Sequence, residues 1–175
     1  MNVTLTRMAE GHRQAVMDIY NHFVDHDFAA YREKRLPYAA YDRFLSMAEG
    51  YPAYAAIDLD GAVLGFGFLH PWHPAECFAR TAEITYFLAA DRTHRGIGSA
   101  LLSALLEGAA AKGVDRILAS ISSRNEASLA FHRKHGFEVC GRFETVGRKF
   151  GEDFDVVWMM KRLVPVATAP GASSG

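Results

Sequence analysis

A glycine-containing turn near the middle of the chain has the features of a phosphate-binding site. Gly96-Ile97-Gly98-Ser99 follows the strand-like run Thr81–Leu88 and opens a helix-like run at residues 97–111. The first N–H groups of a helix have no partner within it and lie at the positive end of its dipole, so they suit a phosphate. A P-loop needs Lys-Ser/Thr where this chain has Ser99-Ala100, and a Rossmann fingerprint needs a glycine where it has Leu101. By itself the turn is equally compatible with an ordinary strand-to-helix connection.

Glu83 lies within the strand-like run and is a candidate general base. Thr85 and Phe87 share its face of the strand, whereas Ile84 and Tyr86 point the other way. A carboxylate in an otherwise apolar strand is costly to bury unless it is paired or used in chemistry. An ammonium group must lose a proton before its nitrogen can attack an acyl group, and a partly buried glutamate can accept that proton directly or through water. The alternative is a structural carboxylate that pairs with a basic neighbour or faces solvent.

Three polar residues share one face of a later helix. Asn125, Ser128 and His132 are spaced i, i+3 and i+7, whereas Ala127 and Phe131 belong to the apolar face. An amide and a hydroxyl can hydrogen-bond a peptide-like ligand, and a histidine can protonate a leaving group. The alternative is a solvated helix face without a ligand.

Aromatic residues from two segments are candidates for the wall of a small-molecule pocket, although such residues lie in protein cores as often as in sites. They are Phe28, Tyr31, Trp72 and Phe78. Trp72 and Phe78 lie in a loop predicted at residues 70–80, directly before the strand of Glu83, which favours a wall near the chemistry. Arg32 can bind a carboxylate through two hydrogen bonds, or it is a surface charge, and His73 is a second candidate anchor.

Hydrophobic periodicity predicts the elements that position these residues. Strands are predicted at residues 2–6, 54–59, 62–69, 81–88, 116–121, 137–140 and 154–160, and helices at residues 10–24, 38–48, 97–111 and 124–135. Asp60-Gly61 predicts a tight type I′ hairpin turn, Ser123 and Glu126 have capping-box spacing at the start of the last helix, and Gly136 ends it. Antiparallel strands followed by alternating strands and helices predict an α+β fold, with a mixed β-sheet and helices on both faces.

Composition limits the class of protein. The chain has 175 residues, 50% of them hydrophobic, and a formal net charge of −1. These values favour one folded domain over a disordered chain, or over a nucleic-acid-binding protein that needs a broad basic surface. The apolar runs are too short to cross a membrane, and the first residues lack a signal-peptide pattern. Cys77 and Cys140 are isolated, without the spacing of zinc ligands or of a redox-active pair. We therefore expect a reduced, cytoplasmic protein without a metal.

Together these motifs resemble the GNAT N-acetyltransferases, and within them the phosphinothricin acetyltransferase branch that includes methionine sulfone and methionine sulfoximine acetyltransferases. The resemblance covers residues 3–163. Its marks are Ile19-Tyr20-Asn21-His22, Pro71-Trp72, Thr81-Ala82-Glu83, Tyr86, Gly96-Ile97-Gly98-Ser99, Asn125, Ser128, His132, Gly136-Phe137, Gly141, Val146-Gly147, Lys149, Gly151 and Asp155-Val156.

The resemblance implies a GNAT fold in a single domain at residues 1–164, followed by a flexible tail at residues 165–175. It implies acetyl-CoA as the donor, an amino acid or analogue as the small-molecule amine acceptor, and a homodimer. Glu83 takes the role of general base in a direct transfer, and His132 stands where many GNAT enzymes carry tyrosine, next to the leaving thiolate. The residues implied in cofactor binding are Phe87, Leu88, Arg95, Gly96, Ile97, Gly98, Ser99, Ala100, Asn125 and Ser128.

The chain departs from the family pattern mainly where the acceptor should bind. Residues 26–30 replace a threonine-rich segment, His73 replaces an arginine, and Phe154 stands where tryptophan is frequent; Thr93 also alters the phosphate motif. Another amine therefore stays open as the acceptor, such as a protein N-terminus, a polyamine or an aminoglycoside, although the near-neutral charge gives no support to a polycation. A non-catalytic acyl-CoA-binding sensor is a further alternative, against which Glu83 and His132 argue.

Overall fold

The computed structural model describes residues 3–92 and 96–163, and its elements follow the predicted order. The strands are β1 (Thr4–Arg7), β2 (Ala53–Ile57), β3 (Val63–Pro71), β4 (Thr81–Leu88), β5 (Arg116–Ser122), β6 (Glu138–Lys149) and β7 (Glu152–Arg162). The helices are α1 (Arg13–His26), α2 (Tyr41–Met47), α3 (Ile97–Ala110) and α4 (Glu126–Lys134), and short 3-10 turns lie at Glu10–His12, Tyr38–Ala40, Glu76–Phe78 and Ala90–Arg92. The tail predicted from residue 165 lies outside the described residues.

Within the described ranges the strands form one mixed sheet in the order β1-β2-β3-β4-β5-β7-β6, as the α+β prediction requires. All neighbouring strands are antiparallel except β4 and β5. This parallel pair joins only residues 81–83 to residues 116–118, although both strands continue beyond that point. The two strands therefore separate past Glu83 and leave a cleft in the middle of the sheet.

Helices cover both faces of the sheet, as predicted. On one face, α1 and α2 pack against β2 and β3, where Phe66, Phe68 and Tyr41 are buried. On the other face, α3 and α4 pack against β4, β5 and β7, with Leu105 and Ile117 fully buried. Adjacent strand residues thus enter different cores, which is the alternation that a strand imposes on its side chains. The same alternation aims β4 side chains to both sides of the cleft.

The turn between β2 and β3 differs from the predicted two-residue Asp60-Gly61 turn. The backbone N–H of Asp58 donates to Ala62 O at 3.0 Å, so three residues form the loop. The Asp58 carboxylate accepts hydrogen bonds from the N–H groups of Asp60 and Ala62, and Gly61 has a φ of 82°. The longer loop is favoured because one aspartate satisfies two backbone donors, with glycine in the left-handed region.

The predicted N-cap of α4 at Ser123 is wrong. Asn125 is the N-cap, and its Oδ1 accepts a hydrogen bond from the Ser128 N–H at 3.0 Å. The Ser123 hydroxyl instead accepts from the N–H of Asp155 in β7 at 3.0 Å, so a neighbouring strand competes successfully for the hydroxyl. At the other end, Gly136 follows the helix with a φ of 79°, as predicted.

β6 and β7 are much longer than the strands predicted at residues 137–140 and 154–160. β6 is an edge strand paired with β7, and its register shifts twice, between Val139 and Gly141 and between Phe143 and Gly147. Thr145, within the second shift, has a φ of 50°. Each shift resets which side chains face the core, so a period-two pattern does not persist along β6.

Candidate active site

The separation of β4 from β5 opens a cavity of about 430 Å³ beside Glu83, here called the Glu83 cavity. A second space of about 640 Å³, the Gly98 cavity, extends from the end of β4 to the first turn of α3. Both are lined by Ala29, Tyr86, Phe87, Asn125 and Ser128. The two cavities therefore meet between β4 and the start of α4.

Glu83 is the acidic group of the Glu83 cavity. Burial raises the pKa of its carboxyl from 4.5 to about 7. Among the described residues no hydrogen bond or ion pair holds this carboxyl, so a structural pair with a basic neighbour does not explain it. A carboxyl that is about half ionised near neutral pH can accept a proton and release it again, as a general base must.

The loop after α1 closes one side of the Glu83 cavity and brings two predicted residues, Tyr31 and Arg32, into its lining. The Tyr31 hydroxyl shares a hydrogen bond with Ser120 Oγ of β5 at 3.2 Å, across the cleft. Burial raises the pKa of Tyr20, and the neighbouring Arg32 guanidinium opposes part of that rise. A proton acceptor, Glu83, and a cation, Arg32, thus line one cavity.

The other residues predicted for the acceptor site line neither of these two cavities. Phe28 contacts the aromatic rings of Phe150 and Phe154, with centroids 5.5 and 5.6 Å away. Trp72, His73 and Phe78 form a cluster of their own between β3 and β4, in which Phe78 lies 5.2 Å from Trp72 and 4.7 Å from His73. Their part in acceptor binding stays a prediction.

The glycine turn leads into α3 as predicted. Gly96 precedes the first helical residue with a φ of 79°, which other L-residues rarely adopt. A Cβ added at Gly98 would lie 3.3 Å from Leu88 and 3.4 Å from Phe131, so no larger side chain fits there without displacing a neighbour. The Ala100 N–H already donates to Gly96 O at 3.0 Å. The amides left for an anion are therefore those of residues 97–99.

Ser99 is held in this turn by His135, a contact that the sequence does not reveal. His135 donates from Nδ1 to Phe131 O at 2.8 Å, which leaves Nε2 to accept a hydrogen bond from the Ser99 hydroxyl at 3.0 Å. By sequence, His135 reads as a cation at a helix C-terminus, and no spacing rule connects two residues 36 positions apart.

The other residues implied in cofactor binding fall into three groups. Those that line the Gly98 cavity are Phe87, Leu88, Asn125 and Ser128. Ile97 is 1% exposed and packs into the core beneath the turn. Arg95 lies outside the described residues.

His132 is buried against the hydroxyl of Tyr86. His132 Nδ1 donates to Ser128 O at 2.8 Å, so Nε2 accepts from the Tyr86 hydroxyl at 3.2 Å. Burial lowers the pKa of His132 to about 4 and raises the pKa of Tyr86. A neutral histidine whose one N–H is bound to a backbone carbonyl has no proton ready for a leaving group. Tyr86, which the sequence reasoning places on the face opposite Glu83, lines both cavities.

Known proteins resemble this chain in sequence and in overall architecture. Residues 16–137 match the sequence profile of the Acetyltransferase (GNAT) family. An L-methionine sulfoximine/L-methionine sulfone acetyltransferase from Pseudomonas aeruginosa is 36% identical over 157 residues, which cover 89% of this chain and 91% of that protein. A phosphinothricin N-acetyltransferase from Streptomyces coelicolor is 32% identical over 152 residues, 83% of this chain and 88% of that protein. The crystal structure of a GNAT superfamily phosphinothricin acetyltransferase from Sinorhizobium meliloti in complex with AcCoA has a TM-score of 0.89 at 30% identity, covering 99% of this chain and 95% of that chain.

Proposed function

Because this chain belongs to the Acetyltransferase (GNAT) family and is an acetyl-CoA-dependent N-acetyltransferase, we propose that its acceptor is the α-amine of a small amino acid or amino-acid analogue. The observation that carries this proposal is the presence of Glu83 and Arg32 in one cavity of about 430 Å³. The carboxyl can accept the amine's proton while the guanidinium binds the carboxylate through charge-assisted hydrogen bonds. The two sequence relatives are named for methionine sulfoximine or sulfone and for phosphinothricin. Each of these acceptors carries an α-amine and a carboxylate.

We propose that the Gly98 cavity binds the donor. Its free amides at residues 97–99 lie at the positive end of α3 and suit a pyrophosphate, and Gly98 allows the close approach that such contacts need. Asn125 Oδ1 is used to cap α4, which leaves the side-chain NH₂ of Asn125 as a donor to the pantetheine arm. When bound, acetyl-CoA supplies the acetyl thioester at the point where the two cavities meet.

Proton transfer, in this proposal, uses Glu83 on one side of the cleft and Tyr86 on the other. Glu83 accepts the proton from the acceptor's ammonium group, because its raised pKa of about 7 is close to neutral pH. Tyr86 lines both cavities, and its hydroxyl can donate a hydrogen bond to the departing sulfur. In the resting site the hydroxyl donates its one proton to His132 Nε2 at 3.2 Å, so it must turn from His132 to the sulfur as the thiolate forms.

We also propose that the protein is a homodimer whose subunits meet along β6. This edge strand and the turn after it expose four large apolar side chains, Val139, Phe143, Val146 and Phe150, each at least 50% exposed. A row of exposed apolar side chains on an unpaired sheet edge is a surface that proteins usually cover. Light scattering should give twice the chain mass for the wild type and a lower mass for Phe143→Lys.

We propose a cytoplasmic location, which one observation supports. Cys77 and Cys140 are both exposed and free, as expected in a reducing compartment. None of the helices in the described ranges has the length and apolar character that a membrane crossing requires.

The amino-acid proposal is tested by removing the acceptor's carboxylate. Methionine sulfone should be acetylated on its α-amine, and its decarboxylated analogue should react much more slowly, because the contacts with Arg32 are lost. Steady-state kinetics with the two compounds at one fixed acetyl-CoA concentration provides the comparison. Equal kcat/KM for both would show that the carboxylate is not recognised.

A further inference from the structure

Lys149, at the end of β6, is a buried cation that joins two distant parts of the chain. It is 1% exposed, and its ammonium donates to the backbone carbonyls of Phe23, Asp27 and Ala30 at 3.1, 2.5 and 2.7 Å. Phe23 belongs to the last turn of α1, whose carbonyls carry partial negative charge, and the other two residues form the loop that follows. An ammonium has three N–H donors, so all of them are used.

The loop held by Lys149 closes the Glu83 cavity with its later residues, from Ala29 to Arg32, and its first residue, Asp27, lines the Gly98 cavity. The carbonyl of Ala30 is bound by Lys149 one residue before Tyr31 and two before Arg32, and both of those residues line the cavity. Lys149 itself lines neither the Glu83 cavity nor the Gly98 cavity. Any effect of this lysine on the reaction must therefore pass through the loop.

Aromatic contacts join the same loop to the same hairpin. Phe28 packs edge-on against Phe150 and Phe154 at 5.5 and 5.6 Å, and Tyr31 stacks on Phe154 at 5.6 Å. The Lys149 ammonium lies 4.7 Å from the centroid of the Phe150 ring, which adds a cation–π contact. Side chains of the β6–β7 hairpin thus hold both the backbone carbonyls and the aromatic side chains of the loop.

We propose that Lys149 is a positioning residue, which fixes the acceptor side of the Glu83 cavity by fastening residues 27–30 to the β6–β7 hairpin. This inference rests on the proposed function, since it treats Tyr31 and Arg32 as acceptor-binding residues. Without the ammonium, the carbonyls of Asp27 and Ala30 lose their partner at once, whereas Phe23 O keeps the N–H of Asp27 at 3.1 Å. Both of the affected carbonyls lie in a loop without helix or sheet hydrogen bonds of its own at those positions. The loop then samples other conformations, and the cavity loses its preformed shape.

Lys149→Met tests this because methionine keeps the length of the side chain but donates no hydrogen bond. Hydrogen exchange should become faster at residues 27–32 and stay unchanged at residues 97–100. The KM for the acceptor should rise about tenfold, the loss expected for one charge-assisted hydrogen bond, and by several times more than the KM for acetyl-CoA. Lys161→Met is the matched control, because the Lys161 ammonium also donates to a backbone carbonyl, that of His135 at 2.6 Å, which does not belong to the loop. This control should leave both the loop exchange and the acceptor KM as in the wild type.

Two results would overturn the proposal. One is wild-type exchange at residues 27–32 in Lys149→Met, and the other is an equal rise in both KM values. If Lys149→Met does not fold, Phe150→Ala removes the ring that contacts Phe28 and Lys149 at a half-exposed position. Because Phe150 also belongs to the proposed dimer surface, the variant is compared with the wild type at equal mass by light scattering. That variant must show the same changes at smaller size, and wild-type behaviour in it would also refute the proposal. The exchange measurement needs no substrate, and the KM comparison can be made on whichever amine is the best acceptor, so a wrong acceptor class would be recognised separately.

Discussion

Replacing Glu83 by glutamine should make the protein slower and more stable at the same time. Burial raises the Glu83 pKa from 4.5 to about 7 in the folded protein. A carboxyl whose pKa is raised by folding costs nothing at acid pH, where it is protonated in both states, and its full cost appears above the folded pKa. At 1.36 kcal/mol for each pKa unit, this rise of 2.5 units, from 4.5 to about 7, lowers the free energy of unfolding above neutral pH by at most ~3 kcal/mol. Glutamine removes that cost.

The same substitution should remove the base. Turnover should fall by about 10²–10⁴-fold if Glu83 accepts the proton, and residual activity should come from holding the two substrates together. The wild-type rate should rise with pH through about 7, as Glu83 ionises, and this rise should be absent in Glu83→Gln. At higher pH the variant should partly recover, because more of the amine is already neutral.

The assay combines steady-state rates with urea unfolding at about pH 5 and about pH 8. Glu76→Gln is the control, because Glu76 is an exposed carboxyl in the loop before β4. It should change neither rate nor stability. Wild-type turnover in Glu83→Gln would refute the role of Glu83 as the base. An unchanged free energy of unfolding at the higher pH would refute the cost of burying its carboxylate.

Three further substitutions test the separate parts of the site. Gly98→Val should raise the acetyl-CoA Kd by about tenfold or more in calorimetry, because the added side chain meets Leu88 and Phe131. Gly11→Ala is the control, because nothing lies within 4 Å of the added Cβ, and it should leave the Kd unchanged. A wild-type Kd in Gly98→Val would show that acetyl-CoA does not bind at this turn. Arg32→Met should raise the acceptor KM by about tenfold and leave the acetyl-CoA KM unchanged, and an unchanged acceptor KM would show that Arg32 is only a surface charge. Tyr86→Phe should lower kcat by about 10²-fold with little change in either KM, and a wild-type kcat would show that the hydroxyl does not act on the sulfur.

The parts of the site that lie on one element could be predicted from the sequence. The strand with Glu83 and the turn from Gly96 into α3 both follow from local signals, a period-two pattern and a glycine before an apolar helix. Asn125 and Ser128 were also placed correctly at the start of α4, even though the residue predicted as the cap was Ser123. In each case the determining contacts lie within a few residues along the chain.

The parts that depend on contacts between distant elements could not be predicted. Tyr86 lines the Glu83 cavity because β4 and β5 separate, so residues of both strand faces reach one space. His132 loses its charge through burial that no spacing rule expresses. Lys149 looks like an ordinary charge in an irregular edge strand until the end of α1 is placed beside it. Trp72, His73 and Phe78 were expected to line the acceptor site, but they contact one another and line neither cavity. Where they lie depends on the path of the loop before β4, which the local sequence pattern does not determine.

Binding of a small amino acid in the Glu83 cavity for N-acetylation can be tested with a single comparison of acceptors. It is the ranking of kcat/KM for thiol release from acetyl-CoA with methionine sulfone, methionine sulfoximine, phosphinothricin, a polyamine and a short peptide. We expect that one of the three amino acids gives the highest value and that the product carries the acetyl group on its α-nitrogen. A higher value for the polyamine or the peptide would contradict the amino-acid claim, and release with none of the amines would contradict the proposed mechanism as a whole.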